Sequence, residues 1–161
     1  MKIVKGSLWD STDDLILVTC NSYIKKDGSL VMGRGAALEM KMKYPNIDKD
    51  FGNILSYKYD GVPEHLTYGV TLVCGFPYLN TQPELEMGIV SKKLFGVFQV
   101  KYHYKDDANL DLIRFSTEML CGIFGKASMN FPGIGFGHLQ YKDVLPIVEK
   151  LPDNVTLYMK D

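Results

Sequence analysis

Two glycine-rich segments hold the residues whose types and spacing could do chemistry. The first, Gly28-Ser29-Leu30-Val31-Met32-Gly33-Arg34-Gly35-Ala36-Ala37, feeds directly into a stretch with helical spacing. The second, Pro132-Gly133-Ile134-Gly135-Phe136-Gly137-His138, follows a short strand-like run ending at Phe131. Glycine lets a backbone approach a ligand closely, and a helix start offers unpaired N–H groups with a positive dipole end. Alternating glycines can also gather successive N–H groups into a nest. Each device holds an anion such as phosphate. Either segment alone also reads as a tight turn, and neither matches a Walker A loop or a full dinucleotide fingerprint, but two of them after strands of one sheet favour an anion site.

Three more residues lie close to these segments in the reading. Asn21 closes the apolar run 15–20, where its amide offers both a donor and an acceptor to a sugar hydroxyl, or else forms a turn. Residues 98–105 alternate, which places Gln99, Lys101, His103 and Lys105 on one strand face. That face is either solvated or presents a lysine as nucleophile or phosphate contact beside an imidazole. His138, just past the second loop, is within reach of whatever the loop cradles and is a candidate acid/base or donor, or a surface histidine. His65, beside Glu64, carries no signal of its own.

Elements must position these residues. Apolar, β-branched runs at 3–5, 15–20, 70–76, 94–104, 128–131 and 155–159 predict six strands. Helical spacing predicts one helix over 34–44, stopped by Pro45, and a second capped by Asn109 with Leu110, Ile113, Thr117, Leu120 and Phe124 on one face. A third helix is predicted over 143–151, with Pro146 tolerated in its first turn; 77–93 is ambiguous and could hold a short helix. The runs 70–76 and 94–104, with no clear helix between them, predict an antiparallel pair. The class is therefore α/β with a mixed sheet.

Composition narrows the function classes. A length of 161 residues suits a single domain spanning 1–161. With 46% hydrophobic and 23% charged residues the chain is a folding one, and a net charge of −1 gives no global field toward nucleic acid or anionic lipid. Cys20, Cys74 and Cys121 are odd in number, far apart and free of Cys-x-x-Cys spacing, so no disulfide framework or metal site is expected and all three are assigned to the core. Trp9 and the tyrosines read as core or half-buried sheet packing, with no aromatic–basic interleave of a nucleic-acid module. No signal peptide or membrane span is legible, and an intracellular, cytoplasmic chain without a membrane partner is expected.

Taken in order, Lys5-Gly6-Ser7-Leu8, the strand ending Cys20-Asn21, Met32-Gly33-Arg34-Gly35-Ala36-Ala37-Leu38 and Pro132-Gly133-Ile134-Gly135-Phe136-Gly137 resemble the macro domain family over essentially the whole chain. The first loop, the helix end Lys43-Tyr44-Pro45 and Leu139-Gln140-Tyr141 are most similar to the branch of terminal ADP-ribose glycohydrolases and DarG-type DNA ADP-ribosyl glycohydrolases. Yeast-type ADP-ribose-1″-phosphate phosphatases are more distant relatives. The resemblance implies a three-layer α/β/α sandwich around a six-stranded mixed sheet. It implies ADP-ribose, or an ADP-ribosyl group on protein, nucleic acid or phosphate, as ligand, with nucleic acid a partner only as modified substrate. A monomer with no cofactor is expected.

By the same resemblance, the diphosphate would rest on the two glycine loops, the distal ribose near Asn21 and the loop beginning at Met32, and Phe136 beside the ligand. Ser7 stands where the family commonly has an acidic residue for the adenine amine, followed by Leu8; Asp10 is a possible substitute. Lys101 aligns with the essential lysine of the glycohydrolase branch and would attack or polarise the anomeric carbon, the attack requiring its neutral amine. The second loop is shorter than in the terminal glycohydrolases, and His138 occupies the place of their catalytic Asp. Three functions follow as expectations: an ADP-ribosyl hydrolase using Lys101 with His138 assisting, an ADP-ribose-1″-phosphatase, or a binding module without turnover.

Overall fold

A computed structural model of the protein describes residues 1–61, 68–74, 93–123 and 125–160. Its elements run β1 (Lys2–Lys5), a 3-10 turn (Leu8–Asp10), β2 (Leu15–Cys20), α1 (Gly35–Lys43), α2 (Ile47–Gly61), β3 (Val70–Cys74), β4 (Leu94–Gln99), α3 (Leu110–Leu120), β5 (Ala127–Asn130), α4 (Tyr141–Val148) and β6 (Val155–Met159). The six strands form one mixed sheet in the order β1-β6-β5-β2-β4-β3. β3 pairs antiparallel with β4, as expected from the missing helix between them, and every other neighbouring pair is parallel.

A mostly parallel sheet is covered on both faces, so its central strand reads as an unbroken apolar run rather than an alternation. β2 fits this. Leu15 and Leu17 pack with Ile113 and Leu120 of α3 and Val144 and Val148 of α4. Ile16 and Val18 pack with Met40 of α1 and Ile47, Phe51 and Leu55 of α2. The result is the expected three-layer α/β/α sandwich, with four helices among the described residues.

The structure departs from the expectations at several points. The sequence reading has no helix over Ile47–Gly61, yet Ile47, Phe51 and Leu55, spaced four apart, are fully buried in α2. Pro45 does end α1, but Asn46, at φ 76°, turns the chain straight into the next helix. β4 ends at Gln99, five residues before the predicted strand end. Its partner β2 stops at Cys20, whose carbonyl accepts from Val100 N at 2.9 Å, and Asn109 N then closes on Val100 O at 2.7 Å. Lys101, His103 and Lys105 therefore lie in a loop, not on a strand face.

The smaller differences also have local causes. Asn109 caps α3 as expected, its Oδ1 accepting from Leu112 N at 3.0 Å, while the helix ends at Leu120 and Phe124 lies outside the described residues. α4 starts at Tyr141, so Pro146 falls inside the helix rather than in its first turn and leaves the carbonyl four residues back without its helical donor. β3 ends at Cys74, and Gly75, Phe76 and residues 77–92, where a short helix was considered, lie outside the described residues. Of the three cysteines only Cys20 is buried; Cys74 is on the outward side of an edge strand and Cys121 just beyond α3, both exposed.

Candidate active site at the carboxyl ends of the strands

The chain leaves β2 toward α1 on one face of the sheet and leaves β5 toward α4 on the other. Between neighbouring parallel strands whose connections diverge in this way, a crevice opens at the carboxyl ends. The β2–β5 ladder runs from Leu15↔Ala127 to Leu17↔Met129 and stops. Asn130 then takes over with its side chain: Oδ1 accepts from Thr19 N at 2.9 Å and Nδ2 donates to Thr19 Oγ1 at 2.7 Å. Above this last rung lies a cavity of about 800 Å³, walled by Asn21, Gly33 to Ala37, Lys101, Gly133 to His138 and the end of β6.

One wall is the start of α1. Asn21, 6% exposed, donates from Nδ2 to Val31 O at 2.8 Å and accepts Tyr23 N on Oδ1 at 2.9 Å, so its amide is first of all a brace for this loop. One N–H and one lone pair are left for a ligand. The Cys20 thiol, pushed up to about 12 by burial, stays neutral and donates to the same Val31 carbonyl. Arg34 is the N-cap residue in an extended conformation and makes no side-chain cap bond. The N–H groups of Gly35, Ala36 and Ala37 therefore meet the cavity without a helical or capping partner, at the positive end of the helix.

The opposite wall is the second glycine loop. It is closed on itself by Leu139 N to Gly133 O at 2.8 Å and His138 N to Gly135 O at 3.1 Å. Lys101 pins it from the loop after β4, with Nζ donating to Phe136 O at 3.4 Å and to Asp106 O at 3.1 Å. Nζ thus acts as a donor to two carbonyls, which fixes it against the loop. His138 Nδ1 is 2.7 Å from Asp107 Oδ1, and the Arg34 guanidinium sits 5.4 Å from the Phe136 ring centroid, linking the two walls across the mouth.

Compared by sequence, the chain matches no protein-family profile and no curated protein. Compared by fold, it is similar to the macrodomain of Thermus aquaticus DarG, with a TM-score of 0.70 and 17% identity over 99% of this chain and 97% of that one. It is similar also to the macrodomain of Mycobacterium tuberculosis DarG, with a TM-score of 0.64 and 21% identity over 97% of this chain and 96% of that one. A third structure, Thermosipho africanus DarTG in complex with ADP-ribose, matches with a TM-score of 0.70 and 19% identity over 99% of this chain, which spans 42% of that longer one.

The chain has the macrodomain fold.

Within this macrodomain fold, the structure brings together Asn21, Gly33, Arg34, Gly35, Ala36, Lys101, Gly133, Ile134, Gly135, Phe136, Gly137 and His138 around one cavity. Three residues assigned to the ligand lie elsewhere. Met32 is 1% exposed and Leu8 5% exposed, both in the core cluster beneath α1 and α2, and Ser7 spends its Oγ on Trp9 N at the 3-10 turn. The sequence reading also missed lining residues: Thr19 and Asn130, the loop residues Tyr104 and Asp106, and Tyr158, Met159 and Lys160 at the end of β6. Strand order supplies the last group, because β6 lies beside β5 and its carboxyl end opens on the same crevice. Arg34, Lys101, Lys105 and Lys160 against Asp106 make the lining cationic in a chain of net charge −1.

Proposed function

We propose that the cavity binds ADP-ribose and that the protein is a hydrolase removing ADP-ribosyl groups from protein or nucleic acid. The observation that carries this reading is the pairing, across one cationic cavity, of an uncapped helix start with a glycine loop closed by its own backbone bonds. The diphosphate sits between them: backbone donors of Gly35, Ala36 and Ala37 take one side, and the second glycine loop takes the other. The volume falls in the range of small-molecule sites, about 300–1,000 Å³. The DarTG structure in complex with ADP-ribose, part of which is similar to this chain in fold, supports the choice of ligand.

In this reading the distal ribose lies near Asn21 and Gly33, and its anomeric carbon faces Lys101 and His138. Lys101 acts there as an electrostatic catalyst, its N–H donors directed at the departing group. His138 handles the proton of the attacking water. The alternative of a binding module without turnover is favoured by one observation, the commitment of Lys101 Nζ to two carbonyls.

Calorimetric titration with ADP-ribose, with AMP and ribose 5-phosphate as controls, tests the ligand. Micromolar binding clearly tighter than both controls is expected, and no binding at millimolar ADP-ribose would sink the reading. Release of ADP-ribose from modified protein and modified oligonucleotide, and of phosphate from ADP-ribose 1″-phosphate, then separates the activities. Lys101→Ala is expected to abolish ADP-ribose release while leaving ADP-ribose affinity largely intact; unchanged turnover removes Lys101 from the mechanism.

A further inference from the structure

We propose that Asp107 positions His138 as the general base of this site, an Asp–His pair that the fold assembles at the cavity mouth from two loops. The proposal rests on the hydrolase reading above. Asp107 Oδ1 lies 2.7 Å from His138 Nδ1 across a sequence separation of 31 residues. A carboxylate only accepts, so Nδ1 carries the shared proton, and in the neutral imidazole Nε2 is the free acceptor. Such an imidazole can take a proton from water, and the carboxylate behind it stabilises the imidazolium that forms.

Three features separate the pair from an incidental surface contact. First, the bond has a second rung: Ala108 N donates to Gly137 O at 2.9 Å, joining the residues next to Asp107 and His138 in the chain. Second, the two loops meet so closely that a Cβ on Gly137 would lie 2.7 Å from Ala108 Cβ and 2.5 Å from Gly133 O, so the approach depends on small residues at these positions. Third, His138 lines the cavity while its Nδ1 pairs with Asp107, and its φ of 62° lies in the left-handed region that few non-glycine residues enter. Both side chains remain accessible, so water can reach Nε2. The other charged groups lining the cavity are Arg34, Lys101, Lys105, Asp106 and Lys160.

The step balances without a co-reactant. Water oxygen forms a bond to the anomeric carbon while His138 Nε2 takes one of its protons. The bond from that carbon to the acceptor atom breaks, its electron pair leaves with the acceptor, and the imidazolium returns the proton to it. Asp107 touches neither substrate nor water and acts through His138.

The test measures kcat and KM for ADP-ribose release from an ADP-ribosylated single-stranded oligonucleotide and an ADP-ribosylated protein. Wild type is compared with Asp107→Asn, Asp107→Ala, Asp107→Glu and His138→Gln. Calorimetric affinity for ADP-ribose and the imidazole ¹⁵N shifts of His138 are recorded in parallel. Asp107→Asn is expected to lower kcat about tenfold or more, with KM and ADP-ribose affinity held within about twofold. Asp107→Glu should recover part of the loss, His138→Gln should match or exceed it, and the unprotonated Nε2 signature of wild type should fade in Asp107→Asn. Unchanged kcat in Asp107→Asn overturns the proposal, as does a fall in ADP-ribose affinity that parallels kcat. Wild-type binding of ADP-ribose with no release from either substrate overturns the pair and leaves the binding reading standing; absence of ADP-ribose binding overturns both.

Discussion

Glycines in the first glycine-rich segment divide along the chain, whereas in the second they alternate. In the first, Gly28 lies against α2, where a Cβ on Gly52 would land on the Gly28 carbonyl; Gly33 faces open space, with Val31 Cγ1 4.0 Å from where its Cβ would be. In the second, Gly133 holds φ 81° with Ile113 Cδ1 2.9 Å from its missing Cβ, and Gly137 is hemmed in by Gly133 O and Ala108 Cβ. Gly135, between them, has nothing within 4 Å. A glycine with no room for a Cβ serves the fold. A glycine facing an empty cavity at an ordinary φ serves no fold constraint, and the close approach of a ligand's phosphates is the remaining reason for it.

The largest effects should come from filling the positions without room. Gly52→Ala drives a methyl into the Gly28 carbonyl, backbone against backbone, and is expected to cost about 3 kcal/mol, the upper range for overpacking. Gly137→Ala, 2.5 Å from a peptide oxygen, should cost about 1–3 kcal/mol and also separate Asp107 from His138. Urea midpoints check both, and a Gly52→Ala protein as stable as wild type would break the distinction between the two kinds of glycine.

Gly52 also explains why one part of the fold was hard to read. In α2 the buried residues Ile47, Phe51 and Leu55 keep regular spacing, but Pro45, the charged run Asp48-Lys49-Asp50 and a mid-helix glycine look like a loop. The glycine is there because the helix crosses the first segment, a tertiary fact with no local signature. β4 was misread for the opposite reason: the alternation through Lys101 and Lys105 is genuine in sequence, but the strand ends where its partner ends, at Cys20. Strands β1, β2, β5 and β6, the Asn109 cap and the two cavity loops were legible because local chemistry decides them. Asn130, the end of β6 and the Asp107–His138 contact depend on strand order and on loops distant in sequence.

Next in size is a change that should leave the fold alone. Gly135→Ala adds a methyl in open space at an unstrained φ, so stability should move by no more than about 0.5 kcal/mol. ADP-ribose affinity should nevertheless fall about tenfold, or about 1.4 kcal/mol, because the methyl occupies the approach of the diphosphate. Gly33→Ala should behave alike on the facing wall. Calorimetry against the urea midpoint checks the pair. Affinity unchanged in both would mean that the ligand does not lie between the loops.

The smallest effect distinguishes how the two segments are tied down. The turn over residues 25–29, which leads into the first, is held by a carboxylate: Asp27 Oδ1 accepts from Ser29 Oγ at 2.6 Å and from Ser29 N at 3.0 Å. These side-chain and backbone hydrogen bonds hold the Asp27 carboxyl below its ordinary value of 3.8. A carboxyl whose folded value is depressed adds stability fully above its unfolded value and loses it as pH falls through the folded one. In the second loop the amides of His138 and Leu139 are held instead by the peptide carbonyls of Gly135 and Gly133, which do not titrate in this range. Asp27→Asn should therefore lower the urea midpoint slightly at pH 7, and the difference from wild type should shrink as pH drops below 3.8 and through the lower folded value. Because Asp27 is fully exposed, the shift is expected near the limit of detection, and amide exchange at Ser29 is the more sensitive readout. Faster exchange at Ser29 in acid, with the amides of His138 and Leu139 unmoved, would mark the first segment as tied by charge and the second by its backbone.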